Sequence, residues 1–142
     1  MMNWLKGQKT VTLKFYSLEE IAELLRDEGY RKVEVTDVLG QEMVRVLIDG
    51  RKILIGLEDN GDLQLLAVLE GVPNSSEAMN AINESVRGLT AHKSEIFTFL
   101  NMTLFAIEGY GISKEHILQM LEKFPASCSI AGLILSKYAQ TV

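Results

Sequence analysis

The first clear periodicity along the chain is that of an amphipathic helix. Apolar residues recur at helical spacing and form one stripe, at Leu18, Ile21, Ala22 and Leu25. Ser17 precedes the stripe and Glu20 lies three residues later, which is the pattern of a capping box. Gly29 supplies the left-handed residue that ends such a helix. Before it, residues 11–16 alternate between apolar and polar and predict an N-terminal strand or extended arm.

A period of two residues follows and predicts antiparallel strands. Alternating or apolar-rich runs cover residues 33–36, 43–48, 51–57 and 63–69. Between the second and third runs lies Asp49-Gly50, the strongest short hairpin signal, because the primed turn needs a positive φ at both positions. A turn of two residues fixes the register, which pairs Ile48 with Arg51, Val46 with Ile53, and Val44 with Ile55. A second turn is predicted at residues 59–62.

The second half begins with a break in the sheet at Pro73-Asn74-Ser75 and a second helix. Its inner side carries Met79, Ile82 and Val86, and Gly88 ends it. Residues 89–108 contain neither Gly nor Pro and would also permit a helix, but the β-branched and aromatic content of residues 96–99 favours strand. We expect a short strand at 89–92, a turn near 93–94 and a long strand to Ile107, with one unbroken strand as the alternative.

Gly109-Tyr110-Gly111 predicts a loop, and Ser113 a cap for the third helix. The stripe of that helix consists of Ile117, Met120, Leu121 and Phe124. Pro125 is expected to stop or kink it. A final helix is then predicted over residues 126–138, with Ile130, Leu133 and Ile134 on its packing side. The predicted fold is α+β, with an antiparallel sheet of about five or six strands and three to four helices.

The predicted hairpin has a second face that is not cleanly polar. Opposite the apolar face lie Met43, Leu47 and Leu54 among Arg45 and Lys52. The strand at 63–69 likewise places Leu66 and Val68 away from its main apolar side. A one-sided sheet alternates more cleanly than this, so either the last helix covers this face or another protein does. The predicted partner-binding residues are Met43, Arg45, Leu47, Lys52, Leu54 and Leu66.

Composition narrows the class of protein. The chain has 142 residues and a net charge of −5, which fits one acidic domain over residues 1–142, with a flexible N-terminus at 1–10. An acidic domain repels phosphate, so nucleic acid and anionic membrane are not expected partners. Arg31, Lys32, Arg45, Arg51 and Lys52 are the exception, because they cluster around the hairpin; they either meet an acidic partner or keep a sheet edge soluble. A single cysteine and the lack of a signal peptide or apolar span predict a cytoplasmic protein.

Candidate catalytic groups are few. His92, His116 and Cys128 are scattered without metal-ligand spacing, and no carboxylate pair stands out. A Cys-His nucleophile pair is conceivable, since Cys128 follows a proline near the start of the predicted last helix, but a small core residue is the better interpretation. The sequence therefore predicts no catalytic residue, no metal and no cofactor.

The Gly109–Ser113 segment is the alternative ligand site. It joins a strand to a helix, and helix N-termini bind anions, so Gly109, Gly111 and Ser113 are candidate small-ligand or nucleotide contacts. The third glycine of a dinucleotide fingerprint would fall at Lys114, and the strands look antiparallel. A structural loop is the favoured interpretation.

Three local patterns, in this order, resemble the YbjN-like proteins, a bacterial family with the type III secretion chaperone-like fold. They are Leu18-Glu19-Glu20-Ile21 to Gly29-Tyr30, Asn80-Ala81-Ile82-Asn83, and Gly109-Tyr110-Gly111-Ile112-Ser113-Lys114-Glu115. Tyr110 interrupts the family's glycine pair, and Glu84 stands where an aromatic residue is common. The resemblance covers roughly residues 17–125. It implies a cytosolic, non-enzymatic protein that binds other proteins, often as a dimer, in chaperone-like, regulatory or stress-related roles.

Overall fold

The computed structural model describes residues 12–69, 76–93 and 98–139. Within these ranges the chain forms three helices and eight strands. The helices are α1 (Leu18–Asp27), α2 (Ser76–Ser85) and α3 (Lys114–Ala139). The strands are β1 (Leu13–Lys14), β2 (Arg31–Val38), β3 (Gln41–Ile48), β4 (Arg51–Leu57), β5 (Leu63–Leu69), β6 (Leu89–Lys93), β7 (Thr98–Leu104) and β8 (Ile112–Ser113). The predicted N-terminal tail at 1–10 and the break at Pro73-Asn74-Ser75 lie outside the described residues.

Six strands form one antiparallel sheet in the order β2-β3-β4-β5-β7-β6, and β1 pairs with β8 in a separate two-stranded ladder. The α+β prediction and its strand and helix numbers are therefore confirmed. None of the helices in the described residues is long and apolar enough to cross a membrane.

The Asp49-Gly50 hairpin has the predicted register, with Ile48 opposite Arg51 and Val44 opposite Ile55. Both turn residues have a positive φ, 52° at Asp49 and 76° at Gly50, as a primed turn requires. The capping box of α1 is also confirmed. Ser17 Oγ accepts a hydrogen bond from the Glu20 amide at 3.2 Å, and Glu20 Oε1 accepts one from the Ser17 amide at 3.1 Å.

Residues 89–93 and 98–104 form two strands rather than one unbroken strand, because β6 pairs antiparallel with β7. The turn predicted near 93–94 lies largely outside the described residues, since Lys93 still belongs to β6. The predicted strand to Ile107 is too long, since β7 ends at Leu104. Beyond that point the backbone leaves the ladder: the Ala106 amide donates to Asp62 Oδ1 at 2.7 Å, and Ile107 pairs with Gly111 across a tight turn.

The third helix differs most from the prediction. It runs without a break through Pro125 for 26 residues, so the expected stop is wrong. Its buried stripe keeps one helical phase across the proline, at Ile117, Leu121, Phe124, Cys128, Ala131 and Leu135. The expected packing side after the proline is wrong for Ile130 and Leu133, which are 51% and 67% exposed. Continuous packing of the stripe outweighs the single hydrogen bond that a proline removes.

All three helices pack against one face of the sheet. One row of directly paired residues crosses all six strands on that face and is entirely apolar: Val35, Val44, Ile55, Leu65, Met102 and Leu89. These residues join a single cluster with the buried residues of the helices, among them Ile21, Ile82 and Phe124. The fold is thus a layer of helices on one side of a sheet, which leaves the other side of the sheet to be accounted for.

Candidate functional site

The candidate site is the side of the six-stranded sheet that faces away from the helices, called the second face below. The row next to the apolar row defines it, since directly paired residues share a face. This row crosses the sheet at Glu34, Arg45, Leu54, Leu66, Asn101 and Thr90. The hollows on this face are lined only by strand and turn residues. The last helix therefore does not cover it, and neither does any other helix in the described residues.

The centre of the second face is apolar. Leu54 and Leu66 are direct cross-strand partners, and Val68 and Phe99 form the next pair toward the Asp49-Gly50 turn. All four side chains are half-buried by their neighbours. They line a shallow groove of about 630 Å³ together with Arg45. The predicted residues Met43, Leu47, Leu54 and Leu66 thus share one open surface.

A polar portion of the same face was missed by the sequence prediction. Gln64, Asn101 and Thr103 lie beside Leu66, and Thr103 Oγ1 donates to Gln64 Oε1 at 2.9 Å. Gly56 makes a dip among them, where an added Cβ would lie 3.6 Å from the terminal methyl of Met43. The hollow has a volume of about 500 Å³. The alternation within Thr98–Leu104 was the signal that could have identified these residues, because every second side chain of that strand is buried.

Charge is distributed unevenly along the second face. Near the Asp49-Gly50 turn, Lys32, Arg45 and Lys52 line one small hollow, and Arg45 forms an ion pair with Glu34. At the opposite end, Glu58 borders the polar hollow and is exposed. Asp59 is exposed beside it in the following turn.

The predicted basic cluster is only partly assembled. Arg51 follows the opposite alternation, because it pairs with the buried Ile48 on the helical side. On the helical side, the positive charge of Arg51 lowers the pKa of the Cys128 thiol and so opposes the rise that burial causes. Arg51 is therefore not part of the basic end on the second face, although it borders the groove there.

Both edges of the sheet carry groups that are already hydrogen-bonded. On β2, the Val33 carbonyl accepts from Arg26 Nε at 3.3 Å and Nη2 at 3.0 Å. On β6, the Ala91 amide donates to Asn83 Oδ1 at 2.8 Å, and the Leu89 amide donates to the Val86 carbonyl at 3.2 Å. Such contacts blunt an edge against the addition of a further strand.

In the Gly109–Ser113 segment, each of the candidate residues Gly109, Gly111 and Ser113 has a structural role. Gly109 and Gly111 have φ values of 80° and 95°, and a Cβ on Gly111 would lie 2.1 Å from the Lys14 carbonyl oxygen. Ser113 is buried, and its Oγ accepts from the His116 amide at 3.1 Å as a helix cap. The adjoining hollow of about 340 Å³ is mainly apolar, with Phe105 and Ile107 in its wall. These contacts explain the loop without a ligand.

The candidate nucleophile Cys128 lies in the middle of α3 rather than near a helix start. It is fully buried, and this burial raises the pKa of its thiol to about 11. His92 is exposed on the second face, and His116 lies in the first turn of α3. Among the described residues, no three His, Cys, Asp or Glu side chains lie together as metal ligands.

Cys128 should accordingly resist alkylation in the native protein. A thiol with a pKa of about 11 carries about one thiolate per thousand molecules at pH 8, and the side chain is out of contact with solvent. We expect iodoacetamide to modify it at least ~100-fold more slowly in the folded protein than in urea. Mass spectrometry of timed, quenched samples measures both rates, and equal rates would contradict the buried position.

No family model matches this chain, and no curated protein or solved structure gives a significant match to it. The resemblance to the YbjN-like proteins stays a prediction.

Proposed function

We propose that this chain is a non-enzymatic, cytoplasmic protein-binding module whose contact surface is the second face of the sheet and whose expected partner is a second copy of the chain. The observation that carries the proposal is the row Glu34, Arg45, Leu54, Leu66, Asn101 and Thr90, which no described helix covers. A solvated sheet face normally carries polar side chains at such central positions. Leucine at two neighbouring central positions indicates that this face meets another surface.

The chemistry of the second face fits a protein surface better than a small molecule. Apolar side chains lie at its centre, around Leu54 and Leu66, and charged residues such as Lys52 and Glu58 lie toward its ends. An apolar centre with a polar rim is the usual anatomy of a protein interface. The hollows are broad and shallow rather than enclosed, whereas small-ligand sites bury most of their ligand.

Hydrogen bonds at the two sheet edges favour the same conclusion. A sheet can recruit a partner by adding a strand at its edge or by covering a face. Here the Val33 carbonyl and the Ala91 amide are already bonded to Arg26 and Asn83. These bonds oppose strand addition at those two positions, which favours contact through the face.

The resemblance to YbjN-like proteins adds a cellular context to the proposal. A chaperone-like, regulatory or stress-related module needs a protein contact surface and no catalytic groups. For the alternative, a small-ligand or nucleotide site at Gly109–Ser113, we find structural explanations at each position.

Photochemical cross-linking in living cells tests the proposal. The photoreactive residue p-benzoylphenylalanine is placed at Thr90, which is exposed on the second face, and in a matched variant at Leu133, which is 67% exposed on α3. We expect a discrete adduct from position 90 and none above background from position 133. The adduct should disappear when Leu54→Asp is added, because the charge disrupts the apolar centre.

The mass of the adduct identifies the occupant. Twice the chain mass indicates a second copy, and any other discrete mass indicates a different protein; both outcomes support a contact surface on this face. Equal labelling from positions 90 and 133, or an adduct that survives Leu54→Asp, would rule out the second face as the contact surface.

A further inference from the structure

We propose that the apolar hollow beside the β1–β8 ladder binds the chain's own N-terminal segment, residues 1–11, with Trp4 as the anchor. The hollow is lined by Leu13, Phe105 and Ile107 and by the start of α3. It shares no lining residue with the hollows of the second face, so the proposal is independent of the protein-binding function proposed above. Residues 1–11 themselves lie outside the described part of the chain.

The surface around this hollow is apolar and exposed. Phe105, Ile107 and Tyr110 are 74%, 55% and 67% exposed, and they are three of the seven large apolar side chains that are exposed among the described residues. The hollow beside Phe105 and Ile107 has a volume of about 340 Å³. A concentration of apolar side chains within so short a stretch of surface is typical of a contact site.

The β1–β8 ladder fixes the point at which residues 1–11 join the folded domain. A Cβ at Gly111 would overlap the Lys14 carbonyl, so the two backbones lie in direct contact there. Next to this contact, Leu13 pairs with Ser113. Because Leu13 is itself part of the wall of the hollow, residues 1–11 join the domain at the mouth of the hollow.

The charge of the segment complements that of the surface. Residues 1–11 contain Lys6 and Lys9 and no acidic residue. Glu108 and Glu115 are exposed, and each is the chain neighbour of a residue that lines the hollow. An acidic rim attracts a basic segment and opposes the approach of an acidic one.

Trp4 is the residue of the segment that suits the hollow best. It is the only tryptophan of the chain, and such a side chain buries a large apolar area and packs well against an aromatic ring such as that of Phe105. Eight residues, among them Gly7, separate Trp4 from Leu13, which is enough chain to turn back toward the hollow. A tether of this length holds the segment at about millimolar effective concentration, which favours it over a partner that must arrive from solution.

The fluorescence of Trp4 tests the proposal, since it reports on a single residue in the full chain. At micromolar protein concentration we expect acrylamide to quench the wild type at least ~3-fold less efficiently than a peptide of residues 1–11, because most tethered segments are bound. Phe105→Lys should raise quenching to the level of the peptide, since it removes an apolar wall and repels the basic segment. Leu133→Lys, the same change at a residue of similar exposure on α3, is the matched control and should leave quenching unchanged.

A photochemical cross-link locates the segment without any change in the hollow. With p-benzoylphenylalanine in place of Trp4, we expect an intramolecular bond to a residue between 105 and 116. Tandem mass spectrometry of the digested monomer identifies that residue. This measurement decides the question even where circular dichroism shows that Phe105→Lys does not fold.

Trp4 that is quenched as readily in the wild type as in the peptide would overturn the proposal, as would protection that a folded Phe105→Lys retains. A cross-link that maps elsewhere in the chain would also overturn it. Protection that disappears on dilution, or a cross-linked product of twice the chain mass, would assign the hollow to the segment of another copy and contradict binding within one chain. The adduct from position 90 is measured separately, so each of these outcomes leaves the proposed function of the second face to its own test.

Discussion

Replacing Ile55 by aspartate should unfold the protein, whereas the same change at the adjacent Leu54 should leave it folded. Ile55 is fully buried in the apolar row beneath the helices, where it pairs with Val44 and Leu65. An unpaired carboxylate in that position loses its hydration and gains no partner. We expect a cost above ~5 kcal/mol, which is comparable to the whole free energy of unfolding of a domain.

Leu54 tests the opposite side of the same strand. Its side chain is half-buried on the second face, where an aspartate keeps contact with water. We expect a loss of about 1–2 kcal/mol, mainly from the poor strand propensity of aspartate. Circular dichroism and urea denaturation of both variants provide the comparison. If Leu54→Asp unfolds the chain as Ile55→Asp does, the second face is part of a core and not an open contact surface.

Gly111→Ala should cause the second largest loss. The added Cβ would lie 2.1 Å from the Lys14 carbonyl oxygen and 2.7 Å from the Phe15 amide nitrogen, so β1 must leave β8 to accommodate it. The φ of 95° adds strain of about 1–3 kcal/mol for a residue with a side chain. We expect a total loss on the order of 3–5 kcal/mol and loss of the β1–β8 ladder.

Gly109→Ala is the matched control for that variant. Gly109 also has a positive φ, 80°, but nothing lies within 4 Å of the position of its Cβ. Only the strain of about 1–3 kcal/mol should remain. Urea denaturation and hydrogen exchange at the Ile112 amide separate the two effects. Equal destabilisation by both variants would show that contact with β1 contributes little.

Local signals in the sequence were sufficient where one interaction determines the structure. The Asp49-Gly50 turn fixes the register of β3 and β4, because a two-residue loop leaves one pairing that keeps Val46 and Ile53 on the same face. The capping box at Ser17 and Glu20 likewise fixes the start of α1. Both depend on contacts within a few residues.

The sequence prediction was wrong where contacts between residues far apart in the chain determine the bounds of a helix or strand. Pro125 is a local signal for a stop, but the buried positions of Phe124 and Cys128 hold α3 in one piece. The end of β7 depends on Asp62, which binds the Ala106 amide from a turn 44 residues away in the chain.

The second face was found in part from the sequence. Apolar residues at the outward positions of β3, β4 and β5, such as Leu47 and Leu54, were evident from alternation. The sequence did not show that the last helix packs on the other side of the sheet. The residues expected to pack, Ile130 and Leu133, are exposed in the structure. The polar residues Gln64 and Thr103 entered the face only once the order of β5 and β7 was known.

The mass of the protein in solution tests the central claim most directly. Multi-angle light scattering of the wild type, Leu54→Asp and Leu133→Asp compares two leucines, one on the second face and one exposed on α3. We predict twice the 15.9 kDa chain mass for the wild type and Leu133→Asp, and 15.9 kDa for a folded Leu54→Asp. A Leu54→Asp variant that is folded and still has twice the chain mass would contradict the claim that the second face is where this protein meets its partner.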